Sequence, residues 1–294
     1  LIMQGNTPAG ATRRYHVYFD VTGKGFAPPA VAPQVVLTDG VVDENNAAYK
    51  IETPNGVYYY HLLGAGFSSL DDADGNDWIG FHYNVAGSGG KFRGIPNAVS
   101  PNNGGHFHPG SKTMISTLVS QGPLKVTIHA QEKKPTAGRP KWQGQFEIYP
   151  DYVVFTMLVA PYEYWVLYEG APGGTLNISS DFVMRSNGTQ TLASVAWEGD
   201  LEPEEWAYVG DPTLGRSLFL TNNIEDTKID SYHQDDGDMT VLGLGRKSAD
   251  YQLDPLLVPR EFTFGLMEET VYADAKPVID RKSTRLNSSH RCIS

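Results

Sequence analysis

Short runs of alternating apolar and polar residues, each ended by a turn signal, constrain the fold of this chain more than any other feature of its sequence. Tyr15–Asp20, Trp142–Tyr149 and Tyr152–Leu158 alternate, and Asp74-Gly75 marks the tip of a predicted hairpin whose second strand is Trp78–Tyr83. A period of two is typical of strands with one buried face. More than a dozen such runs, without a long stretch of helical periodicity, predict an all-β fold of two stacked antiparallel sheets.

The composition and net charge of the chain exclude some classes of binding partner. Glycine (31) and proline (19) are plentiful enough for many turns in a chain of 294 residues. The net charge of −11 argues against a nucleic-acid surface, because phosphate binding needs a clustered basic face. No apolar stretch is long enough to span a bilayer. We therefore expect a large antiparallel β-sandwich with neither nucleic acid nor a membrane as partner.

The two ends of the chain differ from its middle. Leu1–Gln4 has the character of a strand interior, so we expect that the natural N-terminus and any secretion signal are missing. Arg281–Ser294 is basic, rich in serine, and resembles translated sequencing-adapter read-through. We therefore predict N-terminal strands at 1–48, a β-sandwich domain at 49–280 and a non-native, disordered tail. The tail contains the only cysteine, Cys292, so thiol chemistry and disulfides are excluded elsewhere.

Three segments resemble known sequence patterns. Gly66–Trp78 resembles the opening hairpin of galactose-mutarotase-like super-sandwich domains, and Ser120–Ile128 resembles a later strand of the same domains. The resemblance extends over about 49–267 and implies a super-sandwich of the kind found in aldose epimerases, polysaccharide lyases and glycoside hydrolases. The catalytic His and Glu of the epimerases do not align with this chain. Tyr164–Gly174 also resembles the "YWFLYEGTPGG" of environmental bacterial proteins, which implies no activity.

The long irregular stretch Asn84–Ser111 is the first candidate site, because loops of this length in compact domains are often functional. Histidines two apart on an extended segment point the same way, so we predict His106 and His108 as catalytic residues. Arg93 and Asn97 in the same stretch are predicted to bind substrate. No cofactor is expected. A divalent metal held by the two histidines, and a plain surface loop, are the alternatives.

The end of an aromatic strand is the second candidate. Tyr168 and Glu169 precede Ala-Pro-Gly-Gly, where strand meets loop, and we predict both as catalytic residues. Trp165 is predicted to bind the sugar, and Arg185 to neutralise a substrate carboxylate. His233, in an acidic loop, is predicted to bind substrate. Core packing for the aromatic residues and solvated ion pairs for the charged ones are the alternatives.

Three functions follow from these residue types. β-Elimination at a uronic acid residue needs a positioned base and groups that stabilise the developing anion, which the loop histidines, Tyr168 and the two arginines supply. Hydrolysis needs two carboxyl groups, and the candidates are Glu169 paired with Glu225, Asp226 or Asp230. A non-catalytic module would stack sugars on exposed tryptophans. We place cleavage of a polysaccharide or oligosaccharide by a secreted or periplasmic enzyme first, with elimination ahead of hydrolysis.

Overall fold

A computed structural model of the protein describes residues 23, 25, 30–83, 93–98, 106–134, 138–201, 203–235, 237–248 and 250–289, with side chains up to residue 282. The predicted strand Tyr15–Asp20 lies outside these residues. The strands are β1 (Val36–Asp43), β2 (Asn46–Thr53), β3 (Gly56–His61), β4 (Gly66–Asp71), β5 (Met114–Gly122), β6 (Lys125–Glu132), β7 (Gln143–Ile148), β8 (Val153–Val159), β9 (Val166–Gly170), β10 (Phe182–Arg185), β11 (Gln190–Leu192), β12 (Trp197–Gly199), β13 (Trp206–Asp211), β14 (Arg216–Asn222), β15 (Asp230–Asp235), β16 (Met239–Leu244), β17 (Arg246–Lys247), β18 (Asp250–Tyr251) and β19 (Arg260–Met267). One α-helix, α1 (Tyr272–Ser289), follows them.

The strands form two layers. The first layer is a nine-stranded antiparallel sheet in the order β11-β10-β13-β14-β19-β8-β7-β6-β5. The second layer contains two four-stranded sheets, β1-β2-β3-β4 and β12-β15-β16-β9. Hairpins join most neighbours, as expected for antiparallel strands with short turns. The predicted all-β fold, a large antiparallel sandwich, is confirmed.

A short segment, residues 93–98, joins the two halves of the second layer. The N–H of Phe67 in β4 donates to the carbonyl oxygen of Ile95 at 2.9 Å. On the other side, Gly94 and Glu169 exchange N–H···O bonds of 2.8 and 2.9 Å, which link the segment to β9. The exposed edges of β4 and β9 are thereby paired, so the second layer is continuous.

Aromatic residues fill the space between the layers. The Phe67 ring of the second layer lies 5.8 Å from Phe146 and 5.7 Å from Phe264 of the first, both edge-on. Tyr60 contacts Phe146 at 5.1 Å in the same manner. These side chains are fully buried, and edge-to-face contacts of this kind add to the free energy gained from burying the rings.

Helix α1 packs on the outer face of the first layer, and the prediction that the chain has no long helical segment was wrong. Tyr272, Ala275 and Ile279 recur at helical spacing and pack with Trp206 and Tyr208. Pro277 and the polar residues between these positions weaken the periodic pattern. The helix explains why β8 is apolar on both faces, since one face meets the core and the other meets the α1 cluster.

Two further expectations change in detail. Asp74-Gly75 lies in a turn, with Gly75 at φ 83°, but Trp78–Tyr83 is not a strand. The N–H groups of Trp78 and Phe81 donate to β4 carbonyl oxygens at 3.0 and 3.3 Å, but Gly80 adopts φ 68° between them and the Trp78 indole donates to Asp72 at 3.2 Å, so no regular ladder forms. The domain bounds at residues 48 and 280 stay a prediction. β2 spans the first bound, and α1 continues from the domain into the predicted tail.

A buried charge network ties β14 to β19. Arg260 is fully buried, and its Nε donates to Asn222 Oδ1 at 3.1 Å while its Nη2 donates to the Asp226 carboxylate. Glu205 in turn accepts from the N–H of Asp226 at 2.5 Å and from the Asn222 amide. A charge removed from water is tolerated only with such partners.

Arg260→Met is therefore expected to lower the free energy of unfolding by about 3–5 kcal/mol, because Asp226 loses its buried counter-charge. Lys247→Met, at an exposed position of β17, is the matched control and is expected to stay within about 0.5 kcal/mol of the parent. Urea unfolding of both variants measures the difference. Equal midpoints for the two variants would contradict the network's role.

Candidate functional site

The outer face of the β12-β15-β16-β9 sheet carries a row of chemically active side chains. His233 pairs with Val241, and Val241 pairs with Glu169, across three neighbouring strands. Residues in register on adjacent strands project from the same face. Tyr232 and Tyr168 occupy the next positions and point to the opposite face, into the core. Glu169 and His233 therefore share the outer face.

Asn97 reaches Glu169 from the segment that joins the two sheets. The N–H of Leu167 donates to the carbonyl oxygen of Pro96 at 2.7 Å, which holds the segment along β9. Asn97 adopts φ 39°, a conformation that asparagine tolerates better than most residues. Its Nδ2 then donates to Glu169 Oε2. The polar partner of the buried carboxyl comes from a different part of the chain.

The Glu169 carboxyl favours its protonated form. Burial raises its pKa to about 8, against an ordinary value of 4.5. The hydrogen bond from Asn97 and the charge of Arg246 work in the other direction, while the charge of Asp235 adds to the rise. A carboxyl group with this pKa donates a proton at neutral pH, as a general acid must.

Arg246 sets the tautomer of His233. Its Nη1 lies 3.1 Å from His233 Nδ1 and 3.3 Å from Ser231 Oγ. A guanidinium only donates, so Nδ1 carries the lone pair and Nε2 carries the proton of a neutral imidazole. Burial and the Arg246 charge lower the pKa of His233, which agrees with this form. We call Asn97, Trp165, Glu169, His233 and Arg246 the Glu169 site.

An aromatic wall borders the site. Trp165 and Tyr251 lie with ring centroids 4.0 Å apart, and the Arg246 guanidinium lies 5.5 Å from the Trp165 centroid. Trp165, Leu167 and Glu169 alternate along one face of the chain, so the apolar and acidic groups adjoin. Trp165 is 6% exposed, so these contacts fix the position of the guanidinium.

Sequence reasoning missed Arg246 and Asp235. Asp235 lies two residues beyond His233 on the same strand, so it projects from the same face. The alternation of side chains along β15 could have indicated this position, because Asp235 is separated from His233 by one residue. Arg246 follows a glycine at a strand end and carries no local signal, since its partners lie on other strands.

The structure separates the two loop histidines. Phe107 between them is buried with φ 55°, so the segment is not extended and the side chains diverge. His106 Nδ1 is hydrogen-bonded to Thr113 Oγ1 at 2.9 Å, and the ring lies beside Glu132. His108 instead packs edge-on against the ring of Phe81. The expectation that they act as a pair is corrected. The next residue, Pro109, packs against Gly94, whose backbone is hydrogen-bonded to that of Glu169.

Two other predicted residues, Tyr168 and Arg185, have different surroundings. Tyr168 is fully buried, and its hydroxyl donates to the Trp78 carbonyl oxygen at 2.5 Å, so it does not face Glu169. The Arg185 guanidinium lies 5.2 Å from the centroid of Trp197, whose strand is at the far edge of the sheet from β9. Neither shares a cleft with Glu169, and this expectation is corrected.

Arg93 lies at the start of the joining segment. Its Nη1 donates to Ile79 O and its Nη2 to Asp238 O, both at 3.1 Å, and Nη2 lies at the same distance from the Asp238 carboxylate. The side chain is buried by these contacts, so it anchors the segment that carries Asn97. Arg93 therefore contributes to the Glu169 site indirectly, by fixing the segment on which Asn97 lies.

The carboxylates proposed as partners of Glu169 also lie elsewhere. Asp226 binds Arg260. Asp230 faces the core and accepts from Gly245 N–H at 2.8 Å, and burial raises its pKa to about 7. Glu225 accepts from the N–H of Glu204. Within the described part of the chain, no three His, Cys, Asp or Glu residues are placed to hold a metal ion.

The architecture has known counterparts. No protein-family model and no curated protein matches the chain. The solved structure of HI1317 is similar with a TM-score of 0.52 and 12% identity, over 82% of this chain and 98% of that one. A putative mutarotase, YeaD from Salmonella typhimurium, is similar with a TM-score of 0.50 and 11% identity, over 79% and 96%. The chain has the galactose-mutarotase-like super-sandwich fold.

This super-sandwich fold confirms the resemblance seen in the sequence. Heparan sulfate lyase HepC from Pedobacter heparinus is similar at a TM-score of only 0.36 and 9% identity, over 82% of this chain and 36% of that one, too weakly to carry an argument. No described helix has the length and apolar character needed to cross a membrane. Identities this low show the shared super-sandwich fold alone.

Arg246→Gln is expected to raise the pKa of both Glu169 and His233. The lost positive charge had favoured the carboxylate and opposed a second positive charge on the imidazole. NMR titration of the labelled glutamate carboxyl and histidine ring carbons measures both shifts. Arg246→Lys keeps the charge and is expected to give smaller shifts. Unchanged titration of both groups in the glutamine variant would show that Arg246 does not act on them.

Proposed function

We propose that this protein is a carbohydrate-active enzyme that hydrolyses a glycosidic bond, with Glu169 as the general acid. The observation that carries the proposal is the Glu169 carboxyl, whose pKa burial raises to about 8. A glycosidic oxygen leaves as an alcohol only when it receives a proton, and a carboxyl group that stays protonated at neutral pH supplies it. The super-sandwich fold is compatible with this chemistry without implying it.

Asp235 is the proposed second carboxyl group. It projects from the same face as Glu169, two strands away and two residues along. Ideal sheet spacings separate such Cα atoms by about 12 Å. That span supports the wider carboxyl separation of inverting enzymes, about 6.5–9.5 Å, over the roughly 5–5.5 Å of retaining enzymes. In this role Asp235 activates the attacking water, and its negative charge also keeps Glu169 protonated.

The same contacts favour hydrolysis over β-elimination, which the sequence placed first. Elimination needs a base that removes a carbon-bound proton. Tyr168 is buried away from the site, and the lone pair of His233 already accepts from Arg246 at 3.1 Å. Glu169 holds a proton at neutral pH. We therefore assign Asp235 the role of activating the attacking water.

Arg246 is the proposed substrate-binding group. Trp165 is only 6% exposed and packs against Tyr251 and the Arg246 guanidinium, so it supports the guanidinium, which His233 and Ser231 also hold in place. Asn97 orients the Glu169 carboxyl through its hydrogen bond. The proposed substrate is a polysaccharide or oligosaccharide bound along the outer face of the sheet.

Glu169→Gln is expected to lower kcat by about 10²–10⁴-fold, because the amide cannot donate a proton to the leaving oxygen. The parent is assayed on neutral and uronate polysaccharides for both reducing ends and unsaturated, ultraviolet-absorbing products. Its activity is expected to fall as the pH rises through about 8, where Glu169 loses its proton. The glutamine variant is expected to lack this decline.

Glu163→Gln is the matched control, since Glu163 is exposed just before β9, and its kcat is expected to equal that of the parent. Unsaturated products would replace the proposal with elimination. Binding without any product would replace it with a non-catalytic module. Full activity in Glu169→Gln would remove the general acid from the mechanism.

A further inference from the structure

A second site is indicated by a basic cavity in an acidic protein. A cavity of about 720 Å³ lies beside the ends of β5 and β6, and four basic residues line it, namely Lys112, Lys133, Lys134 and Arg139. The whole chain carries a net charge of −11. Clustered like charges repel one another, and a cavity lined by one sign of charge concentrates the field toward an oppositely charged ligand.

The strand register brings these cations together. Met114 at the start of β5 pairs with Glu132 at the end of β6, and Lys133 N–H continues the ladder to Thr113 O at 2.9 Å. This register places Thr113 opposite Lys133, so Lys112, the residue before Thr113, comes close to Lys133 although the two lysines are far apart in sequence. The Lys133 ammonium donates to the Lys112 carbonyl oxygen at 3.1 Å, which places its charge at the cavity wall.

The carboxylate that lines the cavity, Glu132, is already paired with Arg139. Glu132 accepts two bonds of 2.7 Å from the Arg139 guanidinium, and these with the Trp142 N–H hold its pKa below the usual range, although burial works to raise it. Within the described residues no carboxylate pairs with the three lysines. The positive charges of these lysines can therefore attract an anionic ligand.

The remaining walls suit a sugar. Tyr162 is 50% exposed, and the Arg139 guanidinium lies 5.7 Å from the centroid of its ring. His106 forms a polar wall, 4% exposed and hydrogen-bonded to Thr113 Oγ1 at 2.9 Å. An aromatic ring beside ammonium groups matches a pyranose that carries an anionic substituent, whose C–H face meets the ring.

We propose that this cavity binds an anionic residue of a saccharide, separately from the Glu169 site. Its carboxylate or sulfate is held by Lys112, Lys133 and Lys134, and its ring contacts Tyr162. The choice of a saccharide over another anion rests on the proposed function, whereas the preference for an anion rests on the lysines alone. Binding at exposed lysines weakens as ionic strength rises.

The test measures binding in the Glu169→Gln background, so that its outcome does not depend on catalysis at Glu169. Calorimetry compares an oligogalacturonide, a sulfated oligosaccharide and a neutral oligosaccharide of equal length. Lys112→Gln/Lys134→Gln is expected to weaken binding of an anionic oligosaccharide by roughly tenfold through the loss of two attractive charges. These two lysines are exposed and make no described side-chain contact, so the fold is preserved.

Lys228→Gln/Lys247→Gln removes the same charge elsewhere and is expected to leave the affinity unchanged. The anionic oligosaccharide that binds more tightly identifies the substituent as carboxylate or sulfate. Equal binding of the neutral oligosaccharide, or equal loss in both double variants, would overturn the proposal. Complete displacement by inorganic sulfate at the same concentration as the oligosaccharide would reduce the cavity to a free-anion site and overturn the assignment to a saccharide.

Discussion

The pairing of residues 94–96 with β4 and β9 is the constraint on which the second layer depends. Without it, the edge of β4 would keep only its bonds to residues 77–81, and the edge of β9 would present unpaired N–H and C=O groups next to an apolar core. The bonds at Phe67, Leu167 and Glu169 fill that gap. Because Asn97 follows directly, completion of the layer also places an amide beside the Glu169 carboxyl. The fold and the site form through the same contacts.

This arrangement explains why glycine occupies two positions near the joining segment. A Cβ on Gly94 would lie 2.5 Å from Pro109 Cδ, and one on Gly64 would lie 2.2 Å from the His108 carbonyl oxygen. Residues 106–110 therefore pack directly on the second layer. The same short segment has His106 in the wall of the basic cavity and Pro109 against Gly94. The two proposed binding regions thus share one structural support.

Much of the fold could be predicted from the sequence, because alternation and turn residues act locally. The adjacent strands β7 and β8 follow the predicted runs closely. Helix α1 was missed because its apolar contacts with Trp206 and Tyr208 are tertiary, and Pro277 and polar residues obscure the spacing. Trp78–Tyr83 failed as a strand because the indole bond to Asp72 and the conformation of Gly80 outweigh strand propensity.

The site was harder to predict, for a physical reason that two neighbours illustrate. Tyr168 and Glu169 were both assigned to a cleft, yet consecutive residues of a strand point to opposite faces, so only one of them belongs there. Which one depends on where the core lies, a tertiary property. The structure buries the Tyr168 side chain in the core and places Glu169 on the opposite face of the sheet, where it is 9% exposed.

The electrostatic state of Glu169 also depends on distant strands. An arginine beside a carboxyl group ordinarily drives it to ionise, but Arg246 is shared among His233, Ser231 and the Trp165 ring. Burial outweighs its remaining attraction and raises the pKa of the carboxyl group to about 8. A guanidinium free to form a bidentate pair with Glu169 would favour the carboxylate and remove its capacity to act as an acid. The contacts that restrain Arg246 are therefore consistent with the raised pKa of Glu169.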